Sequence, residues 1–336
     1  MLVEGLLYDK IPDSTTKCRL CAHFCTIKPG KRGRCRVREN RNGTLYTLVY
    51  GRLVARNADP IEKKPLYHFQ PGSLSYSIAT AGCNMSCLHC QNYQISLEAP
   101  KNDPIPGDQS TPREVVQDAK RTGCSSIAYT YTEPTIFMEF ARDCALEASR
   151  EGLTNVFVTN GYMSGESASL AGEFLDAANV DLKAANEEHY RRICGAGLQP
   201  VLDTIKSLYE AGVWIEVTTL VIPGHNDDDD SLKFIASFLA SVDPAIPWHL
   251  SRFFPTYKLR DVPPTPVDTL ERAGRIGERA GLRHVYLGNV PGMGDVTKCS
   301  RCGSVLIDRS GFKVRSLNIT GEGKCKSCGA AFEGKI

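Results

Sequence analysis

The chain has 336 residues, 42% apolar and 23% charged, a composition with ample material for a buried core. Forty Lys and Arg against 38 Asp and Glu leave a net charge of +2, so overall charge argues for neither nucleic acid nor an anionic membrane as partner. No apolar run approaches the roughly eighteen residues of a membrane span, and the opening MLVEGLLYDK carries Glu4 in a short apolar patch, so neither a span nor a secretory signal is expected and the expected compartment is the cytoplasm.

Along the chain, residues 1–70 hold four cysteines among many Lys and Arg, then the stretch GTLYTLVYGRLVARN, whose β-formers about Gly51 predict a small hairpin. Residues 71–290 alternate two kinds of segment. The runs SYSIAT, SIAYTYT, NVFVTN, NVDLK, WIEVTTLVI and WHLSRFF predict strands. TPREVVQDAKRTG, PTIFMEFARDCALEASREG, LQPVLDTIKSLYEAG and PVDTLERAGRIGERAG predict helices, with Thr111-Pro112 opening the first and Gly123 closing it. Such alternation implies an α/β domain with a parallel sheet, and periodicity does not say whether the sheet closes. Residues 291–336 leave the pattern for a short module of paired cysteines. Reactive groups in parallel folds gather at the carboxyl ends of strands, and Thr132, Glu133, Asn160, Asp181, Lys183 and His249 are placed there by the sequence.

Fourteen cysteines are the outlying number. Tight clusters in a long chain read as thiolate metal ligands rather than disulfides. Cys18, Cys21, Cys25 and Cys35 form one group, Cys83, Cys87 and Cys90 a second, and Cys299, Cys302, Cys325 and Cys328 a third. Cys124, Cys144 and Cys194 read as small buried residues. The central run TAGCNMSCLHCQN follows the first predicted strand of the middle segment with the spacing C-x3-C-x2-C and no fourth cysteine nearby. Zinc and cubane iron–sulfur sites normally take four protein ligands, so three thiolates leave one coordination position open, as a catalytic centre requires. The competing structural reading is a zinc knot completed by His89 or a distant ligand.

Cys83, Cys87 and Cys90 resemble the signature of radical S-adenosylmethionine enzymes, in which three thiolates hold a [4Fe–4S] cluster whose fourth iron binds the cofactor. YTYTEPTIF resembles a degenerate form of the motif that receives the cofactor's amino group. VTNGY, VDLKAANEEHYRRICG and LVIPGHNDDDD fall in the order found in the glycyl-radical-activating branch, typified by pyruvate formate-lyase activating enzyme. CRLCAHFCTIKPGKRGRCRVREN, DPIEKKPLYHFQPGS and the two terminal CxxC elements are similar to the AmmeMemoRadiSam system radical SAM enzymes over nearly the whole chain. The resemblance implies a partial (β/α)6 TIM-like barrel over 71–290, flanked by small cysteine-rich modules at 1–70 and 291–336. It implies S-adenosylmethionine contacts from Thr132, Glu133, Asn160, Asp181, Lys183 and His249, with Lys183 and His249 toward the cofactor's carboxylate. Asp181 matches a position that helps hold a monovalent cation in the activating enzyme, but Val158 stands where the acidic partner belongs. His89 precedes Cys90, at a position that is often aromatic. An electron donor such as flavodoxin or ferredoxin is implied, as are AMMECR1-like and Memo-like proteins encoded alongside.

The C-terminal pairs, each followed by a glycine (Gly303, Gly329), predict a zinc ribbon or a rubredoxin-type iron site. The N-terminal four suit zinc or a second iron–sulfur cluster. Residues 17–41 hold nine Lys or Arg against one acid, Glu39, which fits an RNA or acidic-protein surface, or simply cations offsetting thiolate charge. Three functions follow: hydrogen abstraction from a protein glycine, radical modification of a small molecule or RNA, and a non-catalytic electron-transfer or nucleic-acid-binding metalloprotein.

Overall fold

Nine strands form one sheet in the computed structural model, which describes residues 2–336. Their spatial order is Val285–Gly288, Trp248–Arg252, Trp214–Val221, Ala177–Asp181, Thr154–Thr159, Ser126–Tyr129, Leu74–Thr80, Arg52–Pro60 and Asp108–Gln109. The first seven are parallel and run in sequence order, each joined to the next by a crossover containing a helix. This is the parallel α/β architecture expected from the alternating pattern, six βα units and a seventh strand with the sheet left open, in keeping with the partial barrel that the resemblance implies. Parallel strands need such crossovers because a tight turn cannot return the chain to the same end.

Local sequence explains the helix ends. Thr111 caps Pro112–Arg121 in a capping box with Glu114, each side chain taking the other's backbone N–H. Gly123, at φ +70°, closes the turn after it. The crossover helices include Gly165–Gly172, whose small residues carry little periodic signal, and Asp229–Val242, capped by Asp228.

The hairpin expected about Gly51 does not form. Thr44–Thr47 pairs with Arg38–Arg41 and Val3–Glu4, while Arg52–Pro60 leaves that small sheet and pairs antiparallel with Leu74–Thr80 in the large one. Gly51 is therefore a junction between sheets: at φ +68° its α-carbon lies so close to the chain that a Cβ would stand 2.3 Å from the Ser110 carbonyl oxygen. The strand pattern on both sides of Gly51 was legible, but long-range pairing overrode the local hairpin.

The C-terminal module is a three-stranded antiparallel sheet, Val296–Lys298, Val305–Ser310 and Lys313–Leu317, followed by the second cysteine pair. It docks on segment 62–70. Lys335 N donates to His68 O and Gln70 N to Lys335 O, both at 2.8 Å, and the Arg309 guanidinium donates to Tyr67 O at 2.6 Å while lying over the Tyr67 ring. No helix among the described residues is long and apolar enough to cross a membrane.

Candidate active site at the strand ends

Cys83, Cys87 and Cys90 sit in the loop after Leu74–Thr80 and face a cavity of about 670 Å³. Thr132, Glu133, Asn160, Asp181, Lys183 and His249 line the same cavity, so one space gathers every centrally placed residue that the sequence singled out. Five of those six lie at or just beyond the carboxyl end of a strand. His249 does not: it is the second residue of Trp248–Arg252. The register Asp181–Thr218–His249 across three neighbouring strands sets it level with the end of Ala177–Asp181, because the later strands extend further.

Glu133 is spent on the protein itself. Its Oε1 accepts from Thr135 N (3.0 Å), Thr135 Oγ1 (2.6 Å) and Thr159 Oγ1 (2.7 Å), and its Oε2 accepts from Asn160 N (2.8 Å). Burial pushes its carboxyl above the usual range, against the pull of these donors. Glu133 thus ties the loop after Ser126–Tyr129 to the end of Thr154–Thr159. Thr132 Oγ1 donates to Thr80 O at 2.9 Å and fastens the same loop to the first parallel strand.

Asn160 reaches the cysteine loop, its Nδ2 donating to Asn84 Oδ1 at 2.8 Å and lying 3.6 Å from Cys83 Sγ. An amide N–H facing a ligand sulfur orients that sulfur and tunes its charge. Lys183 Nζ is 2.7 Å from Asp181 Oδ2. Burial alone would lower the lysine's pKa, but Asp181 and the neighbouring thiolates hold it well above the ordinary value. A side-chain ammonium therefore already occupies the carboxylate of Asp181, in a cavity that Val158 also lines.

Some partners were not visible in the sequence. Glu216, fully buried, accepts from Tyr67 N (3.0 Å), His68 N (2.7 Å) and Trp214 Nε1 (3.1 Å), and its Oε2 lies 2.6 Å from His249 Nε2. Burial works against its charge, yet the hydrogen bond and charge of His249 hold its carboxyl below the usual range. His249 is thereby anchored through Nε2, and only Nδ1 remains for a ligand. The one available signal was an acid inside the apolar strand WIEVTTLVI. Cys194 is buried, as its isolation suggested, and its backbone holds the cysteine loop. Its segment also accepts Ser86 N at Cys194 O (2.8 Å) and Leu88 N at Ile193 O (2.9 Å), pinning the cysteine loop from below. Cys194 does not line the cavity. His89 does; burial and the nearby Lys183 charge push it down to about 3, so the ring is neutral, and its buried Nδ1 has no partner.

The sequence profile of the radical SAM superfamily matches residues 77–235, the span from the first parallel strand through the fifth. An uncharacterized protein of Methanocaldococcus jannaschii is 46% identical over 329 residues, covering 97% of both chains. The pyruvate formate-lyase 1-activating enzyme of Escherichia coli is 26% identical over 224 residues, 61% of this chain and 89% of that one.

The chain belongs to the radical SAM superfamily.

A radical SAM methyltransferase from Sphaerobacter thermophilus shares the fold at a TM-score of 0.51 and 14% identity, covering 70% of this chain and 71% of that one. The radical SAM fold implies a [4Fe–4S] cluster and S-adenosylmethionine, and the residues present fit them. The sulfurs lining the cavity belong to Cys83, Cys87 and Cys90, which would hold three irons of a cluster and leave the fourth to the cofactor, and the buried, unpartnered His89 Nδ1 could meet a polar group of either.

At the C-terminus the four cysteines converge. All four sulfurs lie within 4.8 Å of one another, with Cys299–Cys328 at 3.7 Å and Cys302–Cys325 at 3.9 Å. A tetrahedron of sulfurs bonded to one metal at about 2.3 Å has edges of about 3.8 Å. Gly303 and Gly329 adopt φ +72° and +71°, and their N–H groups return to Cys299 O and Cys325 O at 2.9 Å. The spacing fits a single ion, and sulfur geometry alone does not separate zinc from iron. The N-terminal four line a second, apolar cavity together with Leu20, Ile27 and Ile136. Burial pushes the Cys35 thiol up to about 12 and raises Cys18 and Cys21 as well.

Proposed function

We propose that this protein cleaves S-adenosylmethionine reductively and uses the product to abstract hydrogen from a carbon of a protein partner, a glycine in an exposed loop. The single observation that carries the first half is the cavity in which three thiols and no fourth sulfur face a cation, a histidine and strand-end amides. When bound, the reduced cluster and the cofactor supply a 5′-deoxyadenosyl radical and methionine. In this reading Cys83, Cys87 and Cys90 hold the cluster, Asn160 orients the Cys83 sulfur, and Lys183 with His249 receives the cofactor's carboxylate. Glu133 and Thr132 keep the receiving loop in place through their bonds to the protein. His89 offers a neutral ring nitrogen beside the cluster.

The glycine reading is supported by the likeness to an activating enzyme and by the mouth of the cavity. Phe312, on the turn of the C-terminal module, is 48% exposed and lines that cavity, so an accessory module reaches the place where a macromolecule would dock. A backbone radical at glycine is stabilised by the amides on either side, which makes that C–H a suitable target. The resemblance of the cysteine-rich ends to the AmmeMemoRadiSam system enzymes favours that system, with AMMECR1-like or Memo-like proteins as candidate partners and flavodoxin or ferredoxin as donor.

Anaerobic assay of the reduced protein tests the first half: 5′-deoxyadenosine should form, and the C83A/C87A/C90A variant should lose it while keeping its helical content. Undiminished cleavage by that variant removes the assignment. Electron paramagnetic resonance with each candidate partner tests the second half. A protein radical split by the glycine α-proton is expected; turnover that starts only with a small metabolite replaces the protein substrate with a small molecule.

A further inference from the structure

The three cysteine sets can be compared within one molecule. The C-terminal sulfurs stand at the spacing of ligands on one ion, 3.7 and 3.9 Å. Among the described residues, no three of Cys18, Cys21, Cys25 and Cys35 bring their sulfurs within 4.8 Å of one another, and the same is true of Cys83, Cys87 and Cys90. The N-terminal four nonetheless face one another, because all of them line a single cavity whose other walls include Leu20, Ile27 and Ile136. A mononuclear ion draws its four sulfurs to about 3.8 Å. A polynuclear cluster gives each thiolate its own iron and inserts sulfide between the irons, so the protein sulfurs stay further apart. The N-terminal set follows the second pattern.

The cavity wall carries a second sign of an occupant. Arg38 is 1% exposed and lines the same space. Its two terminal nitrogens are engaged by Glu139 and by Leu6 O, but its Nε–H, fully buried, has no acceptor. An unpaired buried donor on a cation is costly, and an anionic group in the cavity would satisfy it. Sulfides of an iron–sulfur cluster are acceptors of that kind; a lone zinc ion offers none beyond the thiolates themselves.

We propose that Cys18, Cys21, Cys25 and Cys35 bind a polynuclear iron–sulfur cluster, distinct from the one at the strand ends and from the single ion at the C-terminus. The cluster lies against the active loop. A Cβ on Gly82, the residue before Cys83, would stand 3.2 Å from the Cys35 carbonyl oxygen and 2.9 Å from Ile136 Cδ1. His23, between two of the four cysteines, hydrogen-bonds Asn84 O at 2.7 Å from the other side. The proposal adds a centre to the activity proposed above without depending on it.

The test uses the full chain, isolated anaerobically from iron-supplemented cells without chemical reconstitution, and reads iron, zinc and acid-labile sulfide per chain. The C83A/C87A/C90A variant is expected to retain sulfide and iron at about half the wild-type content if both clusters are cubanes. Adding Cys35→Ser to that variant should lower the sulfide further or convert the cluster to a three-iron form visible by electron paramagnetic resonance, with circular dichroism unchanged. Loss of all sulfide in the triple variant, or about two zinc ions per chain in wild type and variant alike, overturns the proposal, as does sulfide that Cys35→Ser leaves untouched both in amount and in spectrum. Equal sulfide in wild type and triple variant, sensitive to Cys35→Ser, upholds the N-terminal cluster and removes the strand-end one instead, so the two readings fail separately.

Discussion

Leu20, Ile27, Val37 and Leu45 of the N-terminal module belong to one continuous apolar core with the barrel, whereas Leu306, Ile307, Ile319 and Phe332 of the C-terminal module form a separate small core with Cys299 and Cys325. Each module has four cysteines, but they are held differently. The N-terminal one is an extension of the barrel, joined through the buried Arg38–Glu139 pair and a bridge between Cys21 and Met163. The C-terminal one is attached mainly by polar contacts at Tyr67, His68 and Gln70, and a core this small should depend on an ion held by its four cysteines. Damage to the first should therefore spread through the barrel, and damage to the second should stay local.

The largest effect is expected where the N-terminal module meets the barrel. Arg38→Met leaves the Glu139 carboxylate buried without its cation, which should cost about 3–5 kcal/mol and move the urea transition of the whole chain. A transition that does not move would mean the module is not part of the barrel's cooperative unit. The same truncation in both modules sharpens the contrast. Leu20→Ala and Leu306→Ala, at 1% and 3% exposure, should each cost about 2–5 kcal/mol. Only the first should lower the midpoint of global unfolding; the second should appear as faster amide exchange confined to residues 296–336.

Removal of the C-terminal metal comes next in scale. A chelator that strips this ion should open residues 299–328 to protease while the barrel keeps its circular dichroism. Simultaneous collapse of both signals would break the comparison. The smallest effect is a pH dependence of docking. His68 is enclosed between Glu333 O, Tyr286 and His284, and burial, aided by the His284 charge, pushes it down to about 3. Glu216 pulls the other way, and Arg309 adds to the lowering. The unfolded chain therefore binds a proton below its ordinary pKa of 6.5 that the folded chain refuses until about 3. Stability from this group is complete above about 6.5 and is lost as pH falls toward 3. Glu333, held below its usual 4.5 chiefly by a hydrogen bond from His284, adds a loss of the same sign at lower pH. Protease sensitivity of the C-terminal module should thus rise between pH 7 and pH 5, and His68→Phe should flatten the rise.

Much of this architecture could be read from residue order. Strand and helix periods are local, so the alternation over 71–290 announced a parallel α/β sheet, and Thr111, Pro112 and Gly123 marked a helix at both ends. Cysteine spacing is local too, which is why the three sets stood out. The Gly51 hairpin shows where local reading stops: two β-rich runs flanking a glycine pair with each other only when no better edge is available, and Leu74–Thr80 offered one. His249 shows it again, since strand length and register, not the polar residue itself, decide how far along a sheet a side chain stands.

The sequence by itself determined which groups are present and which local elements carry them: three sets of thiolates, a loop after a strand, polar residues close behind other strands. Tertiary structure decided what those groups do to one another. Glu216 reaches His249 across 33 residues, Cys194 O takes Ser86 N across more than a hundred, and Phe312 lines the same cavity as Cys83. It also drew the C-terminal sulfurs to the edge length of one tetrahedral ion while setting the N-terminal four around a small apolar cavity beside Arg38. Spacing along a chain limits which ligands can meet, but the distance at which they meet is set by packing from elements far away in sequence, and that distance separates a single ion from a cluster.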